Sequence, residues 1–286
     1  MSVDRILLTN DDGIDTVGFR ALHRTLSKRG YDVVAVAPAA DQSSVGRSLS
    51  TDVVVHDHEL GYAVEGTPAD CAVVGLSELV PDADVVVAGC NEGANLGEYV
   101  LGRSGTVSAA VEAAFFDVPA IATSMYVPAG EDPSEWSLDL RDFAHASATT
   151  GFLVDHAVGA GVFEQVDYLN VNAPMADGET GPNPAERAPI EVTEPSQLYE
   201  MDASRTPENG VRLHDRIWDR METGDLPDPP GTDRRAIVEG RVSVSPLTAP
   251  HTSGHHEALD GLAETYESVD AGVEIDADVG TSTSEN

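Results

Sequence analysis

One short stretch near the N-terminus constrains the fold more than any other. The apolar residues 6–8 run into Thr-Asn-Asp-Asp-Gly, which contains Asp11 and Asp12. A short apolar run bounded by turn-forming residues predicts a buried strand, whose carboxyl end in an open α/β sheet is the ligand-binding edge. Adjacent carboxylates repel each other and are costly to bury, and a divalent cation would relieve both problems. A plain strand-to-helix turn would also explain these residues, so this stretch alone leaves both interpretations open.

The first 174 residues alternate predicted strands with predicted helices. Strands are predicted at residues 33–37, 84–88, 120–124 and 168–171, with an excursion or hairpin at 51–64. Helices are predicted at residues 16–29, 67–79, 104–116 and 138–158. This alternation favours a Rossmann-like, doubly wound and mainly parallel α/β sheet. Residues 1–174 are therefore predicted to form the catalytic core.

The pattern changes after residue 174 and predicts a C-terminal extension. Residues 175–240 are rich in Pro, Gly and charge, which indicates loops, β excursions or an arm. Residues 241–270 are predicted to contain a returning strand at 242–247 and a helix at 255–266. The acidic residues 271–286 resemble a disordered tail.

The formal net charge of -34 restricts both the environment and the partners. Such a surface repels itself strongly, and a Debye length of about 3 Å at 1 M salt would screen that repulsion. The composition therefore predicts a protein of a salt-loaded cytoplasm and argues against generic nucleic-acid binding. The sequence contains no apolar run of about 18 residues, so no membrane span is predicted. Its cysteines, Cys71 and Cys90, are predicted to be buried free thiols.

Three predicted strands are each followed by side chains that carry oxygen. Asp11 and Asp12 follow the first strand, Ser43 follows the second, and Asn91 and Asn95 follow the third. These loops are expected to meet at one edge of a doubly wound sheet. Hard oxygen donors suit Mg²⁺ or Mn²⁺ better than a soft metal. The pattern indicates a shared divalent-cation site, although Ser and Asn are common in loops of every kind.

A second polar feature lies at the predicted start of a helix. Ser104, Gly105 and Thr106 would place free backbone N–H groups and two hydroxyls at the positive end of a helix dipole, where an anion binds well. Ordinary N-capping by these residues is the alternative. Arg103 and Arg47 could each contact phosphate or simply be solvated.

Five motifs occur in order along the chain and resemble those of the SurE family, the stationary-phase survival-protein nucleotidases. They lie at residues 9–14, 37–43, 66–71, 89–97 and 104–107. The resemblance covers about residues 5–172, with a weaker echo at residues 231–233 and 239–247. It implies a Rossmann-like domain, one divalent metal ion per subunit and hydrolysis of nucleoside 5′-monophosphates. It also implies a homodimer or homotetramer, in which the region 175–240 would take part.

The family's site residues can be carried over onto matching positions. The implied metal ligands are Asp11, Asp12, Ser43 and Asn91. The implied phosphate contacts are Asn95, Ser104, Gly105 and Thr106. Either aspartate could also accept a proton from the attacking water, so both are candidate catalytic residues. Cys90 and Glu92 are unusual neighbours for the matching Asn, and residues 175–233 match poorly, which leaves base and sugar selectivity open.

Two other protein classes also place acidic residues after the first strand of an α/β sheet. A haloacid-dehalogenase-type phosphatase needs two aspartates separated by one residue, but Asn10 precedes this pair and Gly13 follows it. A receiver domain needs a distant Lys, whereas Lys28 ends the first predicted helix. A non-catalytic nucleotide-binding regulatory module and a broader phosphatase acting on polyphosphate stay as alternatives. The pair His255–His256 is predicted to lie on a helix surface, and Trp136 and Trp218 are predicted to serve packing or an interface.

Overall fold

The computed structural model describes residues 3–128, 138–176, 187–207 and 209–249, together with Leu259. Its strands are β1 (Arg5–Thr9), β2 (Asp32–Pro38), β3 (Val54–His58), β4 (Gly61–Glu65), β5 (Val85–Glu92), β6 (Ala120–Tyr126), β7 (Tyr168–Pro174), β8 (Ile190–Val192), β9 (Met201–Arg205), β10 (Val211–Asp215) and β11 (Val242–Leu247). Its helices are α1 (Val17–Lys28), α2 (Pro68–Val74), α3 (Glu98–Leu101), α4 (Gly105–Phe115), α5 (Ala144–His156), α6 (Arg216–Thr223) and α7 (Asp233–Val238). A π-helical turn (Gly75–Leu79) follows α2, and a short 3₁₀ turn (Val162–Glu164) precedes β7.

Nine of these strands form one sheet in the order β3-β4-β2-β1-β5-β6-β7-β11-β8. The six strands from β4 to β7 run parallel, whereas β3 and β11 each run antiparallel to a neighbour. The chain moves outward from β1 first through β2 and later through β5, so the sheet is doubly wound with its switch point between β1 and β5. The predicted fold class is confirmed.

The central strand β1 is buried on both faces, as the apolar run predicts. Ile6 and Leu8 pack with Phe19 of α1 in the core on one face of the sheet. Leu7 packs with Val107 of α4 in the core on the other face. A strand covered on both sides tolerates little displacement, so β1 holds the carboxylates that follow it in a fixed place.

The predicted start of α2 is confirmed as a capping box. The hydroxyl of Thr67 accepts the N–H of Asp70 at 3.1 Å, and a carboxylate oxygen of Asp70 accepts the N–H of Thr67 at 2.8 Å. Pro68 occupies the first helical position, where its missing N–H is not needed. This helix start depends on neighbouring residues only, which is why the sequence alone predicts it.

The helix predicted at residues 138–158 is shorter than predicted, because α5 begins only at Ala144. The preceding residues form turns in which Asp142 accepts the N–H of Asp139 at 2.6 Å, and Asp139 accepts the N–H of Arg141 at 2.7 Å. Aspartate side chains that bind nearby backbone N–H groups compete with the helix for those groups. Apolar spacing does not reveal this competition.

The strand predicted to end at residue 88 is longer than predicted and continues as β5 to Glu92. Its pairing with β6 shifts register between Ala88 and Asn91. Gly89 has a φ of +134°, and a β-carbon there would clash with the backbone carbonyl oxygen of Thr123. Only glycine fits this irregularity, which allows the strand to continue after it. Asn91 therefore lies on a strand and not in the loop where it was predicted.

The region 175–240 contains more regular structure than its composition predicts. Strands β9 and β10 form a separate antiparallel pair, and β8 joins the edge of the main sheet beside β11. Helix α6 was not predicted. It buries Ile217 and Met221 against Leu96, which belongs to the loop after β5. The role of this region in oligomerisation stays a prediction.

Several predictions concern residues outside the described ranges. They are the helix at 255–266, of which only Leu259 is described, the acidic tail at 271–286, the pair His255–His256, and Trp136. Both cysteines are free and buried, as predicted. Within the described ranges, no helix combines the length and apolar character that crossing a membrane requires.

Candidate functional site

Most of the predicted site residues line one cavity of about 480 Å³ at the carboxyl edge of the sheet. These residues are Asp11, Asp12, Ser43, Asn91, Asn95 and Ser104. Gly105 and Thr106 are not among the lining residues, and Thr106 is fully buried behind Asp11. The sheet thus brings together side chains from the ends of β1, β2 and β5, as a doubly wound topology requires.

The turn after β1 is formed by Asn10 and not by the carboxylates. The side chain of Asn10 donates to the carbonyl of Gly13 at 2.8 Å and accepts the N–H of Gly13 at 3.2 Å. Since Asn10 closes the turn, Asp11 and Asp12 are not required for it. The strand-to-helix turn therefore leaves both carboxylates available for a ligand.

Asp11 is nearly buried and lies against the first turn of α4. It is 4% exposed, and the hydroxyl of Thr106 donates to its carboxylate. A β-carbon added to Gly105 would lie 2.7 Å from Cβ and 2.8 Å from Oδ2 of Asp11. The positive end of the α4 dipole therefore faces the protein's own carboxylate. In this arrangement Thr106 orients Asp11, and the predicted phosphate contacts of Gly105 and Thr106 stay untested.

Asp12 accepts the backbone N–H of Glu92 at 3.0 Å. Burial, and then the charge of Asp11, raise the pKa of Asp12 to about 8. Burial also raises the pKa of Asp11, against hydrogen bonds from Thr106 that lower it. The pair is thus electrostatically strained when both groups are ionised, which is the condition that a bound cation relieves.

Ser43 and Asn91 have neighbours that leave oxygen atoms for a ligand. Asp41 accepts both the N–H and the hydroxyl of Ser43, at 2.8 and 2.6 Å, so the lone pairs of the Ser43 oxygen stay usable. The amide nitrogen of Asn91 donates to the carbonyl of Gly93 at 2.5 Å, which leaves its carbonyl oxygen. Two carboxylates, a hydroxyl and an amide oxygen form a donor set that fits a hard divalent cation.

Asn95 is held by two asparagines that the sequence analysis did not identify. The side chain of Asn172 in β7 accepts the backbone N–H of Asn95 at 2.8 Å and donates to the backbone carbonyl of Asn95 at 3.1 Å. Asn170 donates to the same carbonyl at 2.9 Å, and the side-chain amide of Asn95 donates to Ser124 at 2.9 Å. The spacing of Asn170 and Asn172 in an apolar strand places both on one face, and this signal could have revealed them.

The structure separates the two arginines that the sequence left ambiguous. Arg103 lines the cavity, with its guanidinium 5.4 Å from the centroid of the Tyr99 ring. Arg47 instead pairs with Glu112 at 2.6 Å and covers Phe115. Ser104 caps α4 by accepting the N–H of Val107 at 3.1 Å while also lining the cavity, so N-capping and a site role are compatible.

Apolar and aromatic side chains also line the cavity, and most of them come from the region 175–240. They are Tyr99 of α3, Met201 of β9, Leu213 of β10 and Trp218 of α6. Trp218 was predicted to serve packing or an interface; it does pack against the cluster of Leu96 and Ile217, and it also lines the cavity. The cavity therefore combines acidic and other oxygen-bearing side chains with apolar and aromatic ones.

The fold and the cavity define a class: a Rossmann-like α/β protein with an acidic cavity beside the switch point of its sheet. Residues 6–200 match the family model described as Survival protein SurE. The chain belongs to the SurE family.

Similar proteins span nearly the whole chain. A protein of Natronomonas pharaonis named 5′-nucleotidase SurE is 66% identical over 263 residues, which is 92% of this chain and 99% of that protein. A protein of the same name from Haloarcula marismortui is 62% identical and covers 96% of this chain and 100% of its own length. The crystal structure of the SurE protein from Aquifex aeolicus is similar with a TM-score of 0.69 and 30% identity, covering 93% of this chain and all of that one. The first two relatives come from halophilic archaea, in agreement with the acidic composition.

The raised pKa of Asp12 gives a testable dependence of stability on pH in chelator. Because the folded state holds this proton up to about pH 8 and the unfolded chain releases it near 3.8, unfolding becomes easier as pH rises between these values. We expect Asp12→Asn to remove this contribution. The free energy of unfolding of the variant, relative to that of the wild type, should then rise by a few kcal/mol between pH 5 and pH 8.5. Denaturant unfolding at constant high salt measures this difference, and parallel pH profiles for the two proteins would contradict it.

Proposed function

We propose that this protein is a metal-dependent phosphomonoesterase that hydrolyses nucleoside 5′-monophosphates to nucleoside and phosphate. The observation that carries the proposal is one cavity lined by two unlike sets of side chains. Asp11, Asp12, Ser43 and Asn91 offer oxygen ligands, and Trp218 offers an aromatic surface. A nucleotide has the matching division into a phosphate and a base, and about 480 Å³ is a usual size for a small-molecule site. The relatives named 5′-nucleotidase SurE support the same substrate class.

The charge of the cavity supports the need for a cation. Asp11, Asp12, Glu92 and Asp215 line it, and among its described lining residues Arg103 is the one cationic side chain. A phosphate monoester would be repelled by this set unless positive charge were added. We infer one Mg²⁺ or Mn²⁺ per subunit, held by Asp11, Asp12, Ser43 and Asn91. When bound, the ion supplies positive charge at the transferring phosphoryl group and Lewis acidity.

The residues of the chain then have separable roles in the reaction. Asp12 accepts the N–H of Glu92 with one carboxylate oxygen, which leaves its other oxygen for the cation and for the proton of the attacking water. The positive charge of the cation would keep this carboxylate ionised. The carboxylate of Asp11 already accepts a hydrogen bond from Thr106 at the start of α4, so Asp11 is the less suitable proton acceptor. The charge of Arg103 and a hydrogen bond from the second N–H of the Asn95 amide would stabilise the equatorial oxygens, where charge is spread in the transition state. A bond forms between the water oxygen and phosphorus as the bond from phosphorus to the 5′-oxygen breaks. The departing 5′-oxygen takes a proton from solvent and Asp12 releases its proton to solvent, so the products are nucleoside and phosphate.

Phosphate release from 5′-AMP in high salt tests this function directly. We expect release with added Mg²⁺ or Mn²⁺, a loss of at least about 10²-fold with a chelator, and recovery when the cation is restored. The same assay on 3′-AMP and on polyphosphate defines the selectivity. Nucleotide binding without phosphate release under any cation would instead identify a regulatory module, and faster release from polyphosphate would identify a broader phosphatase.

The proposal extends to assembly and compartment. We propose a homodimer or homotetramer that uses the region 175–240, in the cytoplasm of a cell rich in salt. Exposed apolar side chains in this region support an interface, since Val192 is 72% and Leu213 is 70% exposed. Light scattering of the wild type and of Val192→Asp measures this, and an unchanged mass for the variant would argue against a contact at Val192.

A further inference from the structure

One of the aromatic rings that line the cavity, that of Trp218, is stacked on another ring. Trp218 is half-buried on α6, lines the cavity and stacks on Tyr126. The two rings are almost parallel, with an angle of 12° and centroids 6.4 Å apart. Tyr126 therefore supports the indole of Trp218, and part of the same side chain lines the cavity.

Tyr99, the other aromatic ring that lines the cavity, is already surrounded by protein groups. The guanidinium groups of Arg103 and Arg234 lie 5.4 and 5.3 Å from its centroid. Tyr199 contacts the same ring edge to face, with centroids 5.0 Å apart. Because Tyr99 already makes these contacts, Trp218 is the better surface for a planar ligand.

Tyr99 instead fixes the position of the helix that carries Trp218. Its hydroxyl donates to Asp215, the residue that caps α6 by accepting the N–H of Ile217 at 3.2 Å. Asp215 thus joins α3 to the first turn of α6, while Ile217 and Met221 anchor the buried face of that helix. Trp218 follows Asp215 by less than one helical turn, so this hydrogen bond fixes the turn of helix from which its side chain projects.

We propose that the cavity-facing side of Trp218 is the platform on which the nucleobase stacks, and that the Tyr99–Asp215 hydrogen bond positions it. This inference rests on the proposed function and specifies how the site recognises a nucleoside. Stacking on an indole requires a base but accepts any base, because every base has a π face. The platform therefore selects nucleotides over sugar phosphates and discriminates weakly among adenine, guanine, cytosine and uracil.

The test compares 5′-AMP with ribose 5-phosphate, which has the same phosphate and sugar but lacks the base. We expect Trp218→Ala to lower the ratio of kcat/KM for 5′-AMP to that for ribose 5-phosphate by roughly 10-fold, mainly through the KM for 5′-AMP. Trp218→Phe is expected to recover most of the ratio. An unchanged ratio in Trp218→Ala, or equal losses on both substrates, would overturn the proposal.

The positioning contact has its own matched pair of variants. Tyr99→Phe keeps the ring and removes the hydroxyl that binds Asp215, and we expect it to lower the same ratio by a few-fold. Tyr199→Phe makes the equivalent change on the exposed neighbouring ring and is expected to leave the ratio unaltered. Equal ratios in the two variants would remove Tyr99 from the proposal.

A binding measurement separates this inference from the proposed function. The chain has two tryptophans, so Trp136→Phe leaves Trp218 as the single indole fluorophore. We expect adenosine, which has no phosphate to hydrolyse, to quench this fluorescence, whereas ribose does not. Quenching by adenosine in a protein that releases no phosphate from 5′-AMP would uphold the platform and refute the enzyme. Phosphate release without quenching would uphold the enzyme and refute the platform.

Discussion

Replacing Asp11 by Asn is expected to lower the turnover of 5′-AMP by about 10²-fold or more, the usual effect of removing one preorganised charge from an active site. Asp11 is 4% exposed and is held by Thr106 at the start of α4, so its carboxylate has a fixed place on the cavity. Asn keeps the shape and removes the charge that would hold the cation. Initial rates of phosphate release at saturating Mn²⁺ measure the effect.

The control for Asp11→Asn must change the net charge equally at a distance from the cavity. Asp57→Asn on the exposed edge strand β3 does so, and we expect its turnover to equal that of the wild type. Titration with Mn²⁺ shows whether the Asp11 variant binds the ion more weakly. Near-normal turnover of Asp11→Asn at saturating Mn²⁺ would refute the assignment of Asp11.

Replacing Gly105 by Ala is expected to cause a loss of similar size by a steric route. The new β-carbon would lie within 2.8 Å of two Asp11 atoms and 3.0 Å from Cγ of Pro68, so α4 or Asp11 must shift. A shift of about 1 Å in a catalytic group can cost about 10²-fold in rate. Overpacking of this kind also costs about 1–3 kcal/mol of stability. Rates of 5′-AMP hydrolysis and denaturant unfolding of the same preparation measure the two effects.

Gly102 provides the matched control for Gly105. It lies three residues earlier with a φ of -74°, and a β-carbon there would meet no atom within 4 Å. Gly102→Ala is therefore expected to keep both activity and stability. Similar kinetics for the two variants would show that the contact between α4 and Asp11 does not matter for catalysis.

Features that depend on local sequence could be predicted. The buried strand β1 follows from an apolar run, and the start of α2 follows from Thr67, Pro68 and Asp70, which interact within one turn. The approach of Asp11, Asp12, Ser43 and Asn91 follows from the topology, since parallel strands place their carboxyl ends at one edge. The predictions at residues 138–143 and 88–92 were wrong, because side-chain hydrogen bonds and a glycine irregularity overrode the apolar pattern.

Contacts between distant segments could not be predicted. Thr106 reaches Asp11 across 95 positions, Asn172 reaches Asn95 across 77, and Tyr99 reaches Asp215 across 116. No local pattern specifies such partners, because each requires the sheet and its helices to be in place first. The same reason explains why the position of Trp218 on the cavity, in addition to its packing, was not predicted.

By itself, the sequence determined a doubly wound sheet, an acidic protein suited to high salt, and the oxygen-bearing side chains at the ends of β1, β2 and β5. These properties follow from hydrophobic periodicity, turn chemistry and net charge, which short stretches of chain carry on their own. Only the tertiary structure decided that the start of α4 faces Asp11 and that α6 brings Trp218 to the cavity. Those two arrangements arise from packing between elements far apart in the chain, which depends on the shape of the assembled core.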